Sequence, residues 1–341
     1  MAAAHRELFY TSQDGLKLYA RDYGERTAPG TPVICLPGLT RNSKDFEPLA
    51  GHLSARHRVL CPDFRGRGRS DYCDNWTDYT PVHEMMDTLD LMGAAGIGSA
   101  IFIGTSRGGL VTMALAAFRP NVIKAAVLND VGPEVDKKGI ERIAGYVGVM
   151  EVPATWDEAA VKLRVMNERE FPNLSGDQWR TFARRTFAEE HGAPKLDYDP
   201  KIGTAMRKGL EASKGEIPTM WPQFGSLAQM PLLIVRGENS DLLSAGIVER
   251  MQADHPSVKS VTAKDRGHAP FLDEPEVLAA IDEFIAAVCS SFFLRFSIRV
   301  PPFSTSNGTL TSSALSPSPH TMLIAPGRWL EVSKTRWTSG T

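Results

Sequence analysis

The chain of 341 residues is 42% hydrophobic, enough to bury the core of one large domain carrying an insertion, or of two ordinary domains. Its formal net charge of −2 provides no basic surface to draw phosphate backbones and no acidic excess of the kind found in solvating tails, so no nucleic-acid partner is expected. No run reaches the roughly 18 consecutive apolar residues of a membrane span, and the opening MAAAHRELFYTSQDG carries charge early without a continuous apolar stretch, so a cytoplasmic protein is expected.

The first element, ELFYTSQDGLKLYARDYG, has two short alternating runs around Asp14-Gly15, a dipeptide suited to the positive φ of a tight hairpin turn. The pattern then changes to short runs that are apolar throughout: PVICLPG from Pro32, HRVLCPDF from His57, AIFIGTS from Ala100 and AAVLNDVGP from Ala125. Such runs suit strands buried on both faces of a parallel sheet. Between them lie helical stretches, VHEMMDTLDLMGAAG behind Pro81 and RGGLVTMALAAFRP, which Pro120 stops.

From 133 to 229 no such run occurs, and EAAVKLRVMNEREF, DQWRTFARRTFAEEH and IGTAMRKGLEAS predict a helical cap inserted over one end of the sheet. PLLIVRG and SVKSVTAKD bring the chain back to the sheet, and EPEVLAAIDEFIAAV, with Pro275 in its first turn, predicts the closing helix. The expected fold class is therefore α/β, a mostly parallel sheet with helices on both faces, built from residues 1–132 and 230–288. Residues 289–341 are rich in Ser, Thr and Pro without apolar periodicity, which predicts a disordered tail.

Cys35, Cys61, Cys73 and Cys289 show no CxxC spacing, and the first two fall inside apolar strands, so reduced packing thiols are expected. His83-Glu84 lacks the second histidine of a zinc HExxH, and GAAGIG from Gly93 precedes a strand instead of following one. No metal and no cofactor is expected.

GTSRG, Gly104 to Gly108, is a G-x-S-x-G that ends a buried strand and opens a helix, the setting of a nucleophile elbow. Ser106 is the expected nucleophile, with glycines two residues away on each side to let the sharp turn form. A serine needs a base. His268, in KDRGHAPFLDEP, lies in a loop after the last predicted strand, whereas His5, His52, His57, His83, His191, His255 and His320 fall in terminal segments, on surfaces or in the insertion. For the acid that orients the imidazole, Asp241 follows the strand LLIVRG and completes a Ser…Asp…His order, and Asp130, at the end of AAVLND, is the competing candidate. Pro37-Gly38 brings backbone close after PVICLPG, so the N–H groups of Leu39 and Arg107 are the expected oxyanion donors. Met220, Trp221 and Phe224, just before the chain returns to the sheet, are candidates for lining an apolar substrate pocket.

LPGL, DFRGRGRSD, GTSRGG, RGENSD and RGHAPFLDEP together resemble the α/β-hydrolase superfamily over roughly residues 7 to 288. In that superfamily the Asp63 to Ser70 stretch forms a tight structural turn. Members that act on haloalkanes or epoxides carry an aspartate at the elbow, so a serine there implies acyl transfer. The resemblance is to carboxylesterases and enol-lactonases with helical lids, and implies hydrolysis of small to medium esters or lactones as small-molecule substrates. Carbon–carbon bond hydrolysis by the same residues, or ligand binding on a hydrolase scaffold, are the alternatives. Oligomeric state is not legible.

Overall fold

The computed structural model describes residues 3–255 and 257–296. A hairpin of β1 (Arg6–Thr11) and β2 (Lys17–Tyr23) leads to β3 (Val33–Leu36), α1 (Glu47–Leu53), β4 (Val59–Asp63), α2 (Pro81–Ala95), β5 (Ala100–Thr105), α3 (Arg107–Phe118) and β6 (Ile123–Asn129). An insert then carries α4 (Lys137–Tyr146), α5 (Trp156–Asn167), α6 (Gly176–Thr186), the strands β7 (Phe187–Glu190) and β8 (Ala193–Leu196), α7 (Lys201–Ala212) and α8 (Trp221–Gly225). The chain closes with β9 (Leu232–Gly237), α9 (Ala245–Asp254), β10 (Lys259–Ala263) and α10 (Pro275–Phe296).

Eight strands form one sheet in the order β1-β2-β4-β3-β5-β6-β9-β10. β1, β2 and β4 pair antiparallel, and every pair from β4 to β10 is parallel. This is the α/β-hydrolase fold. The order reverses between β3 and β5, which places a crevice beyond their carboxyl ends where a ligand can enter. The loops after β3, β5, β6, β9 and β10 all open on that edge.

The strands read as continuous apolar runs because both of their faces are covered. Ile34, Leu36, Phe102, Leu128 and Ile234 pack on one side with residues of α2, α3 and α9, while Val33, Cys35, Ile103, Val127 and Val235 pack on the other with α1 and α10. The two-residue period of a strand thus splits one sequence run between two cores. Thr80 caps α2 by accepting from the His83 amide, Pro81 occupies its first turn, and Gly96 ends it in the left-handed conformation.

The insert departs from an all-helical reading. Residues 187–196 form an antiparallel ribbon turning at His191 and Gly192, both at positive φ, so the stretch read as one helix through FAEEH stops at Thr186. Ala159, Leu163, Phe171, Trp179 and Phe187 give the insert a small core of its own. Phe271, on the loop carrying His268, stacks on Phe171 with ring centroids 5.3 Å apart.

At the other end, α10 continues to Phe296, so residues 289–296, expected to be disordered, are helical. The rest of the expected tail, 297–341, lies outside the described residues. Cys35, Cys61 and Cys73 are buried free thiols and Cys289 is a partly exposed one. Among the described residues no helix is long and apolar enough to cross a membrane, and no group of three or more His, Cys, Asp or Glu residues is arranged to hold a metal ion.

Candidate active site

Ser106 follows β5 directly and takes φ 51° and ψ −113°, a conformation an L-residue adopts only under strain. The flanking glycines are what the turn requires: a Cβ on Gly104 would lie 2.5 Å from the Gly108 carbonyl oxygen, and one on Gly108 would lie 2.1 Å from that of Leu36. The Ser106 amide donates to the Asn129 carbonyl at 2.9 Å, fixing the elbow to the end of β6.

His268 reaches Ser106 from the loop after β10. Its Nε2 lies 2.8 Å from Ser106 Oγ and its Nδ1 lies 2.8 Å from Asp130 Oδ2. Asp130 has no solvent exposure. The Gly237 amide donates to its Oδ1 at 2.8 Å and the Ser240 hydroxyl to its Oδ2 at 2.7 Å, so the carboxylate is held from both sides. A carboxylate held in this way accepts from Nδ1 and so fixes the tautomer of the imidazole it faces.

This corrects the expected acid. Asp241 does not meet His268 but receives Arg142 bidentately, Nε to Oδ2 at 2.7 Å and Nη2 to Oδ1 at 2.9 Å. Burial works to raise the Asp241 carboxyl, and the Arg142 hydrogen bonds outweigh it and hold the group below its ordinary value. The cause is the lateral order of the sheet: β6 adjoins β5, whereas β9 lies one strand further out. The loop after β9 therefore contributes Gly237 and Ser240 as donors to Asp130 instead of contributing the carboxylate that faces His268. The local signals for this were the polar pair Asn129-Asp130 at the end of an apolar strand and a basic residue, Arg142, early in the insert.

Leu39 and Arg107 line cavity space together with Ser106. Arg107 opens α3, so its amide is one of the first-turn donors for which a helix has no partner of its own. Behind these two residues lies a charge network that the motif reading did not expect. Arg67, fully buried in the 63–70 turn, donates from Nε to the Leu39 carbonyl at 2.8 Å and pairs through Nη2 with Glu84 Oε1 at 2.8 Å. The other oxygen of Glu84 accepts from Arg107 Nε at 2.6 Å. Burial alone would raise the Glu84 carboxyl, but Arg107 and Arg67 outweigh it and keep it below its ordinary value. One fully buried carboxylate thus ties Arg107 to Arg67, which in turn holds the Leu39 carbonyl.

Two cavities meet at Ser106 and Leu39. One, of about 450 Å³, has walls of Leu110, Val135, Ile140, Met206, Leu210 and Met220. The other, of about 140 Å³, is lined in part by Arg41, Arg142, Tyr146, Arg185 and His268. Of the three residues expected in the substrate pocket, Met220 is a cavity wall. Trp221 and Phe224 are not: Phe224 is buried against the sheet side of the core, and Trp221 donates to Glu134 Oε2 at 3.1 Å under the Arg250 guanidinium. The one and a half turns of α8 rotate both rings away from the site.

A serine hydroxyl bonded to an imidazole that is itself held by a buried carboxylate is the arrangement that activates serine for attack on a carbonyl. It belongs to a class of α/β proteins with a serine at the elbow after the central strand. Residues 33–281 match the model of the alpha/beta hydrolase family. A 3-hydroxybutyrate-oligomer hydrolase from Cupriavidus necator is 32% identical over 83% of this chain and 99% of its own length. The esterase YbfF of Escherichia coli is 24% identical over 75% of this chain and 93% of its own. The crystal structure of an alpha/beta hydrolase from Novosphingobium aromaticivorans is 45% identical, with a TM-score of 0.77 over 84% of this chain and 99% of that one. The chain belongs to the alpha/beta hydrolase family, and its relatives support hydrolase activity.

Proposed function

We propose that the protein is a serine hydrolase of carboxylic esters or lactones of small to medium size, with Ser106 as nucleophile, His268 as base and Asp130 as the acid that orients it. The observation that carries this reading is the continuous chain of hydrogen bonds from Ser106 through His268 to Asp130. As Ser106 Oγ attacks the carbonyl carbon, its proton passes to His268 Nε2, and Asp130 stabilises the imidazolium. The negative charge moves to the carbonyl oxygen, opposite the Leu39 and Arg107 amides. Collapse of the tetrahedral species breaks the acyl–oxygen bond, and the alcohol leaves with the proton held by His268. Water, deprotonated by His268, then releases the acid and restores Ser106.

The insert would act as a cap, since α4 lines both cavities, α6 the smaller and α7 the larger. The relatives named above as an oligomer hydrolase and an esterase support an ester substrate. The expected setting is cytoplasmic, and the partner is a small molecule without a cofactor.

The test is hydrolysis of p-nitrophenyl esters from acetate to palmitate by wild type, Ser106→Ala and Asp130→Asn. Turnover of short or medium esters that both variants abolish supports the reading. Wild type that is folded and inert across the series overturns it.

A further inference from the structure

The smaller cavity carries hydrogen-bond donors with no acceptor. Arg41, at its edge, is fully engaged by Asp45 and Thr186. Arg142 spends Nε and Nη2 on Asp241, with Glu170 also 3.3 Å from Nε, and its Nη1 makes no hydrogen bond among the described residues. The Arg185 guanidinium makes none either, its nearest carboxylate being Asp273 at 3.8 Å. The Tyr146 hydroxyl likewise has no partner among the described residues, and burial pushes its pKa up, keeping it a donor. These three groups come from α4 and α6 and line the same cavity as Ser106 and His268. The larger arm, by contrast, presents aliphatic side chains.

A donor facing a confined cavity is costly while it stays unpaired, and a planar guanidinium matches the two oxygens of a carboxylate. Of the acids around the arm, Asp45 binds Arg41 and Asp241 binds Arg142, while Glu170 stands 3.3 Å from Arg142 Nε with its Oε2 buried and unpaired among the described residues and its carboxyl pKa raised by burial, so the donors left open on Arg142, Arg185 and Tyr146 define what fits.

Resting on the ester-hydrolase reading, we infer that the smaller arm takes a carboxylate carried by the substrate, so that the preferred substrate is an ester with a free carboxylate on one side of the scissile carbonyl and an aliphatic segment on the other. Arg185 and Tyr146 are then specificity-determining residues, with the Arg142 Nη1 completing the cradle.

The experiment compares monobutyl succinate with butyl pentanoate, which match in length and differ in the terminal carboxylate. Wild type is expected to show kcat/KM at least tenfold higher for the anionic ester. The ratio should fall towards unity in Arg185→Met, recover in part in Arg185→Lys, and fall about threefold to tenfold in Tyr146→Phe, which keeps the ring volume. Equal or faster turnover of butyl pentanoate by wild type overturns the inference, as does an unchanged ratio in Arg185→Met and Tyr146→Phe. If neither ester is turned over, the ester-hydrolase reading fails separately, and calorimetric binding to Ser106→Ala decides the cradle: tighter binding of monobutyl succinate than of butyl pentanoate supports it, and no preference overturns it.

Discussion

Asp130 and Asp241 both close a sheet strand with a short polar loop, and they are used in opposite ways. Asp130 is fully buried, is fed by a backbone amide and a hydroxyl, and holds His268. Asp241 looks outward from the same edge and grips Arg142 of the insert. The contrast extends to the regions around them. On the sheet side His268 and Asp130 are engaged by partners from neighbouring strands and loops, whereas on the insert side several donors line the cavity unspent. The proposed geometry of attack is thus built on the sheet, and the features that would choose among substrates are carried by the insert.

The largest expected effect tests the sheet side. Ser106→Ala or His268→Ala should each lower kcat by about 10⁴–10⁶-fold with the fold intact by circular dichroism, and combining them should cost little more, because residues that act as a unit are not additive. The comparison of the two acids comes next. Asp130→Asn should lower kcat by about 10³–10⁴-fold, as expected when the imidazole loses its orienting charge, while Asp241→Asn should stay within a few-fold of wild type. Comparable losses in the two variants would erase the distinction drawn here.

A smaller effect is expected behind the proposed oxyanion donors. Glu84→Gln leaves Arg67 and Arg107 without their shared charge, and a misplacement of the Leu39 loop of even a fraction of an ångström should lower kcat about 10–100-fold with KM little changed. A matched rise in KM, or a loss explained by a fall in melting temperature alone, would show Glu84 to be only a structural buried charge. The smallest effect is on stability. The Asp241 carboxyl sits below its ordinary value in the folded protein, so its contribution is complete at neutral pH and is lost as pH falls through the folded value. Asp241→Asn should therefore cost ~1–2 kcal/mol in urea unfolding at pH 7, with the gap to wild type closing below about pH 4.

The strands were legible because the sheet is covered on both sides, so each of Val33–Leu36, Ala100–Thr105 and Leu232–Gly237 is an unbroken apolar run. The meeting of Ser106 and His268 was legible because glycines and loop position mark them. The carboxylate that faces His268 was not, because Asp130 and Asp241 both follow strands on one sheet edge, and which of them meets the imidazole depends on the lateral order of strands and the path of a distant loop. Local sequence carries neither. Phe224 shows the same limit: an aromatic residue suits a cavity wall and a core equally, and the rotation of a five-residue helix decides. The Phe187–Leu196 ribbon was hidden because its strands are four residues each and charged, continuing the composition of the helix before them.

The conformation of Ser106 has a consequence for the history of the chain. A side chain held at φ 51° and ψ −113° costs on the order of 1–3 kcal/mol, and glycine at that position would be free of it. Considered purely as a foldable polymer, the protein would be better off without this serine. Selection for thermal endurance alone would favour glycine at this position.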